Sequence, residues 1–229
     1  MFLDIQAELK DRFLGLQAIM KHVEDVSVEK KKAELELSKR ETVEEVRRIY
    51  TLETLRDVPI FRAYRDFFWH IGIDPTKNRP AAEALIRRVL SGKPLPTINT
   101  LVDAYNLASI KTCISVGAFD ADVLKGGLVL RKAKSGEEFR GIGMEKPMRL
   151  KGNEIVISDE EKLIAVYPYR DADETKITLN TKNVLLLVCG VPGINEDVLK
   201  NAGRIVVDHV TKFCGGRETQ NGENQGHPL

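Results

Sequence analysis

The side chains best suited to chemistry are gathered in two polar segments. The first, Asp74 to Pro80 (Asp-Pro-Thr-Lys-Asn-Arg-Pro), sets charged and hydroxyl groups between two rigid prolines. It leads into a run with helical spacing, Ala81 to Leu90, so free main-chain N–H groups at that helix start can hold an anion. The same residue types also make an ordinary connection between helices, with Asp74 as a turn residue and Asn78 as a cap. The second segment, Tyr167 to Lys176, carries two tyrosines, an arginine and three acids in ten residues. A charged hairpin loop is the alternative there, but hairpin turns favour glycine or asparagine and this segment has neither.

Other reaction chemistries find little support. The histidines are His22, His70, His209 and His227. His70 follows Asp66 by one helical turn, a spacing at which the two can pair, but no serine or cysteine stands near them as a nucleophile. Gly141-Ile142-Gly143 lacks the Gly-Lys-Ser/Thr ending of a phosphate loop, and Gly126-Gly127 reads as a hairpin turn. The cysteines, Cys113, Cys189 and Cys214, show no zinc-site spacing. Their odd number and an N-terminus unlike a signal peptide lead us to expect a reducing, cytoplasmic setting. With 35 basic and 34 acidic residues the net charge is +1, which does not indicate a nucleic-acid coat or a membrane-surface protein but leaves room for a local basic face. The longest apolar run, Val184 to Cys189, is far shorter than the roughly 20 residues of a membrane span.

These segments need a scaffold, and 229 residues with 42% hydrophobic content are enough to bury a real core. Residues 3 to 26 fit either a helical face or a turn at Gly15 followed by a strand from Leu16 to Val26. Helices are expected over Ser27 to Leu52, Val58 to Ile71, Ala81 to Leu90 and Asn99 to Ser109. Short β-rich runs follow at Val116 to Ala118, Leu128 to Ala133, Asn153 to Ile157, Leu163 to Tyr167, Lys176 to Leu179 and Val184 to Cys189. A last helix starts at the cap Asn195 and stops at Gly215. Helices, then strands, then one helix make an α+β pattern: a mixed β-sheet core with flanking helices. Residues 1 to 214 read as one domain, with an N-terminal region to 57, a core over 58 to 192 and the last helix over 193 to 214. The Gly-, Asn- and Glu-rich stretch from Gly215 to Leu229 reads as a disordered tail.

A third stretch gives these segments a context. It comprises Ile98-Asn99-Thr100-Leu101-Val102-Asp103-Ala104-Tyr105-Asn106, then Val116-Gly117-Ala118-Phe119-Asp120, then Gly126-Gly127 leading into Leu128 to Ala133 with Arg131. This order resembles the editing domain of the phenylalanyl-tRNA synthetase beta subunit, best over residues 58 to 192. The Asp74 to Pro80 segment and Tyr169-Arg170-Asp171 look more like free-standing relatives of that domain. The resemblance implies water attack on a mischarged aminoacyl ester, with neither metal nor cofactor and with tRNA or aminoacyl-tRNA as partner. DNA and membranes are not expected partners. A complete synthetase is not expected.

On that resemblance, Asn99 and Asp103 order the pocket, and Thr175 and Lys176 position water or the ester. Arg170 holds a terminal phosphate or a substrate carboxylate, with Asp171 orienting it, while Tyr169 and Gly117 complete the substrate site. Lys77, Arg79, Arg87 and Arg88 contact tRNA phosphates. Each has a plainer alternative: Asn99 and Asp103 as helix caps, Arg170 and Asp171 as a surface ion pair. Two departures matter. The bacterial histidine before Ala-Phe-Asp is Gly117 here, and the glutamate that pairs with the tyrosine hydroxyl falls at Leu187, which cannot accept that bond. Two rivals therefore stand beside a deacylase. One is a module that keeps the pocket and binds RNA or an amino acid without hydrolysis. The other is an interaction domain working through the charged region Glu24 to Arg48, in which residues 1 to 52 are separable from the pocket.

Overall fold

A computed structural model describes residues 1–219. In chain order its elements are β1 (Leu3–Ile5), α1 (Ala7–Arg12), β2 (Gln17–Glu24), α2 (Ala33–Ile49), α3 (Pro59–His70), α4 (Ala81–Leu90), α5 (Thr100–Thr112), β3 (Val116–Asp120), β4 (Leu128–Lys132), β5 (Glu138–Phe139), β6 (Met148–Arg149), β7 (Ile155–Ser158), β8 (Leu163–Val166), β9 (Arg170–Asp171), β10 (Val184–Gly190), α6 (Glu196–Cys214) and β11 (Arg217–Thr219). The architecture is α+β, with helices flanking mixed sheets.

Two sheets form the framework, with strand orders β1-β4-β7-β8-β9 and β11-β2-β10-β3; β5 and β6 pair separately. Among the described residues only β1 and β4 run parallel. The apolar run of β10 is buried throughout because both its faces are covered. Leu185, Leu187 and Cys189 join the core against the other sheet, while Val184 and Leu186 pack with Leu101, Leu107, Val206 and Val210 beneath α5 and α6. Alternate strand residues point to opposite faces, so one strand serves two cores. A third cluster, including Phe61, Ile86 and Ile110, joins α3, α4 and α5.

Local signals explain the best-defined helices. Asn99 starts α5 by accepting a hydrogen bond from the Val102 N–H at 2.9 Å, and Asn195 starts α6 by accepting from Asp197 N–H at 2.7 Å. Pro59 occupies the first turn of α3.

Several expectations are corrected. Gly15 does turn the chain, and β2 follows it, preceded by the short helix α1. Residues 27–32 are not helical: the Ser27 N–H is bound to the Cys214 carbonyl at 2.8 Å and Val28 is buried, so this stretch is tied to α6 before α2 can begin. No strand forms at 176–179, where the Thr178 N–H turns back onto the Thr181 hydroxyl. Gly126-Gly127 is not a hairpin turn, since β3 and β4 lie in different sheets. It is a close approach: a Cβ on Gly127 would stand 2.6 Å from the Phe2 ring. The expected tail begins with an ordered strand, Arg217–Thr219, paired with β2; residues 220–229 lie outside the described residues. Finally, residues 1 to 52 are not separable. β2 pairs with β10 over all seven residues from Val184 to Gly190, and Leu35 and Val46 of α2 are buried.

Candidate functional site

At the seam between the two sheets lies a cavity of about 160 Å³. Gly117 of β3 and Leu187 and Cys189 of β10 form one wall, and the turn from β8 into β9, Tyr167 to Asp171, forms another. Tyr105 and Asn106 of α5, Ser115 and Ala81 close it. The volume matches a cavity known to hold a benzene-sized group, enough for a small acyl side chain.

The second polar segment lines this cavity, and the first joins it from outside through Tyr169. The Tyr169 hydroxyl donates to the Asn78 amide oxygen at 3.0 Å, across 91 residues of sequence. Asn78 is thus a bridge between segments and not a helix cap; Pro80 holds the cap position of α4. Asp74 folds its own turn, accepting from the Thr76 N–H and hydroxyl at 2.8 and 2.6 Å; these bonds hold its carboxyl below the usual range. The second segment is a tight hairpin, with β9 returning along β8 and the Tyr169 N–H bonded to the Val166 carbonyl.

Gly117 and Leu187, the positions of both departures, are cross-strand partners facing the cavity. The Asp171 carboxylate lies over Gly117, and a Cβ there would stand 3.1 Å from its Oδ1. A side chain at 117 would displace Asp171, so a glycine and this acid fit together. The hydrogen bond Asp171 receives, from the Ala118 N–H to Oδ2, is 3.3 Å long. Burial pushes its carboxyl up to about 7, opposed only by that N–H. Burial likewise raises the Tyr105 phenol and the Cys189 thiol, and the nearby Asp171 charge adds to both.

Arg170 reaches the cavity but does not pair with Asp171, because neighbours on a strand point to opposite faces. Its guanidinium stacks 5.1 Å from the Tyr169 ring centroid and donates to the Ile142 carbonyl at 3.3 Å. The expected Arg170–Asp171 ion pair is therefore replaced by a cation–π contact.

The expected catalytic set is not brought together. Asn99, Asp103, Thr175 and Lys176 are not among the residues lining the cavity. Asn99 caps α5. Asp103 is buried, accepts from the Ile98 N–H at 3.0 Å and pairs with buried Lys39, which also reaches Glu36 and Thr97 at 2.9 and 3.0 Å. Thr175 is turned inward by the short 3₁₀ turn Asp173–Thr175, and Lys176 pairs with Asp173 at 2.8 Å. Of the four basic residues, Arg87 is committed to Glu83 at 2.6 Å, which Arg65 also grips in bidentate fashion at 2.9 and 2.7 Å. Arg88 donates to the Pro94 carbonyl. Lys77 is exposed, 3.9 Å from Asp74, and Arg79 is exposed beside it.

Tyr105 and Asn106 belong to the stretch that carries the resemblance but were given no role there, and Ser115 and Cys189 were not assigned to the site. Ser115 is 2% exposed and its hydroxyl has no hydrogen-bond partner among the described residues. Its main chain is fixed: its N–H donates to the Tyr64 hydroxyl at 3.1 Å, and Tyr64 in turn donates to the Cys189 carbonyl. The signal available was two polar residues, Tyr105 and Asn106, within a helix otherwise buried on nearly all sides.

The Asp66/His70 spacing makes no dyad. The His70 Nδ1 lies 2.6 Å from the Asp66 main-chain oxygen, within an open groove of about 460 Å³ that also includes Arg12, Phe13 and Arg62 but no nucleophile. All three cysteines are buried and unbridged. Among the described residues no cluster of three or more His, Cys, Asp or Glu could hold a metal ion, and no helix is long and apolar enough to cross a membrane.

Two sheets with a small cavity of mixed polar and apolar lining at their seam define an α+β domain. The chain belongs to the B3/4 domain family, whose model matches residues 63–215. It is 36% identical over 95 residues to the phenylalanine–tRNA ligase beta subunit of Fusobacterium nucleatum, covering 41% of this chain and 12% of that protein. The same subunit from Latilactobacillus sakei is 28% identical over 182 residues, covering 75% of this chain and 20% of that one. The fold is also that of an N-terminal fragment of the phenylalanyl-tRNA synthetase beta subunit from Pyrococcus horikoshii, at a TM-score of 0.51 and 14% identity, covering 95% of this chain and 50% of the fragment. The chain thus spans about an eighth to a fifth of the length of these two curated relatives.

Proposed function

We propose that this protein acts in trans on aminoacyl-tRNA, binding the aminoacyl ester in the inter-sheet cavity and hydrolysing it. The observation that carries this reading is a side-chain-sized cavity lined by the second polar segment, which Tyr169 ties to the first through Asn78. Family membership and kinship to phenylalanine–tRNA ligase beta subunits support it. Ester hydrolysis by a positioned water needs no protein nucleophile; it needs a held acyl group and donors for the developing oxyanion. Tyr105, Asn106 and Ser115 supply such donors in the cavity. Asn99 and Thr175 act from outside it, Asn99 by fixing the start of α5, which carries Tyr105 and Asn106, and Thr175 by anchoring the turn after β9. Arg170 at the cavity and exposed Lys77 and Arg79 meet the RNA phosphates.

Leu187 sets the selectivity. An apolar residue there offers no acceptor to a tyrosine hydroxyl, so the acyl group favoured is one without that hydroxyl. The same leucine and Gly117 favour the second reading, a binding module without hydrolysis. Release of amino acid from a panel of misacylated tRNAs decides between them. Hydrolysis of at least one ester well above the spontaneous rate is expected; binding without any hydrolysis would establish the second reading.

A further inference from the structure

We propose that Asp171 is the receptor for the primary ammonium group of an α-aminoacyl ester, which makes the cavity selective for acyl groups with a free amine. The inference rests on the aminoacyl reading above and adds the recognition element to it.

Among the described residues lining the cavity, Asp171 is the only carboxylate. It forms no ion pair with any Lys, Arg or His among the described residues. The groups facing it are Tyr105 from α5, Cys189 from β10 and the main chain of Gly117 and Ala118 from β3; its strand neighbour Arg170 turns its charge onto Tyr169. None of these is an available cation. Asp171 is half-buried, and a carboxylate held largely away from water without a counter-charge is costly, so its site is incomplete without one. The carboxyl's upward shift is what such a vacancy produces. Unpartnered Ser115, lining the same cavity, is a second unfilled hydrogen-bonding position.

An α-aminoacyl ester fills both. Its ammonium is two bonds from the ester carbonyl carbon, so an ammonium on Asp171 leaves that carbonyl among Tyr105, Asn106 and Ser115. The acyl side chain then faces Leu187 and Ala165, which suit an apolar group. The ligand class is therefore a free-amine α-aminoacyl group with an apolar side chain. N-acylated and α-hydroxyacyl esters are excluded.

The test is calorimetric binding of non-hydrolysable 3′-deoxy-3′-(aminoacylamino)adenosines carrying alanyl, leucyl or phenylalanyl groups. Each is compared with its N-acetyl and α-hydroxyacyl counterparts. Loss of a charged hydrogen bond should weaken binding at least about 10-fold for both counterparts on the wild-type protein. Asp171→Asn should weaken the free-amine forms similarly and abolish their advantage over the N-acetyl forms. Equal affinity of free-amine and N-acetyl forms, or unchanged affinity in Asp171→Asn, would overturn the assignment to Asp171. Failure of every free-amine analogue to bind would instead overturn the aminoacyl reading, and this inference with it.

Discussion

Replacing Lys39 by methionine should destabilise the protein by about 3–4 kcal/mol at pH 8. Asp103 is 3% exposed and is held by the Lys39 ammonium and the Ile98 N–H. The substitution leaves a buried carboxylate with that N–H alone, which is the costly way to break a buried pair. Glu36 and Thr97, the other Lys39 partners, reach solvent and add little. Burial already places the Asp103 carboxyl above its usual range, with Lys39 opposing. Without Lys39 the folded-state value rises further. An acid so raised binds more protons folded than unfolded, so its stabilising contribution is present below the unfolded value and is lost as pH rises through the folded one. The Lys39→Met penalty should therefore be complete at pH 8 and shrink towards pH 4. Urea unfolding followed by circular dichroism at pH 4, 6 and 8 measures it. The double variant Lys39→Met/Asp103→Asn should recover most of the loss. A loss under about 1 kcal/mol at pH 8, or one equally large at pH 4, would refute the reasoning. So would failure of the double variant to recover.

Asp171→Asn should be more stable than the wild type at pH 8, by about 2–4 kcal/mol, with the difference vanishing towards pH 4. The wild-type cost develops as pH climbs from the ordinary carboxyl range through about 7; thermal denaturation across pH would show the opposite sign if Asp171 had a hidden cation. Replacing both Lys77 and Arg79 by alanine should lower the slope of log affinity for tRNA against log salt by about 1.4–1.8. Arg87→Ala should leave that slope unchanged, because Arg87 is spent on Glu83; filter binding over a salt series would contradict this if both variants lost equal slope.

Features that depend on neighbours in sequence were legible. Ala81 to Leu90 was placed to the residue, and α6 was marked by Asn195 and Gly215, because caps and helical spacing are local signals. The strand at Val184 was visible as an apolar run because both its faces are covered. Pairing between distant strands was not visible: Gly126-Gly127 imitates a hairpin turn while joining two sheets, and Arg217–Thr219 becomes a strand only because β2 presents an edge. The site divided the same way. Density of polar groups singled out both segments, yet the Tyr169–Asn78 contact needs the fold. Asn99 and Asp103 drew attention over Tyr105 and Asn106 because α5 is buried nearly all round, so no polar stripe marks the side that faces the cavity.

The most direct test of the cavity's role is deacylation by a variant that fills it. In Gly117→Val the side chain enters the space beneath the Asp171 carboxylate. Wild-type protein should release amino acid from at least one misacylated tRNA. Gly117→Val, with its cooperative unfolding transition retained, should do so at least about 100-fold more slowly, the scale expected when a reacting group is misplaced by about 1 Å. Undiminished hydrolysis by folded Gly117→Val would place the chemistry elsewhere and contradict the account.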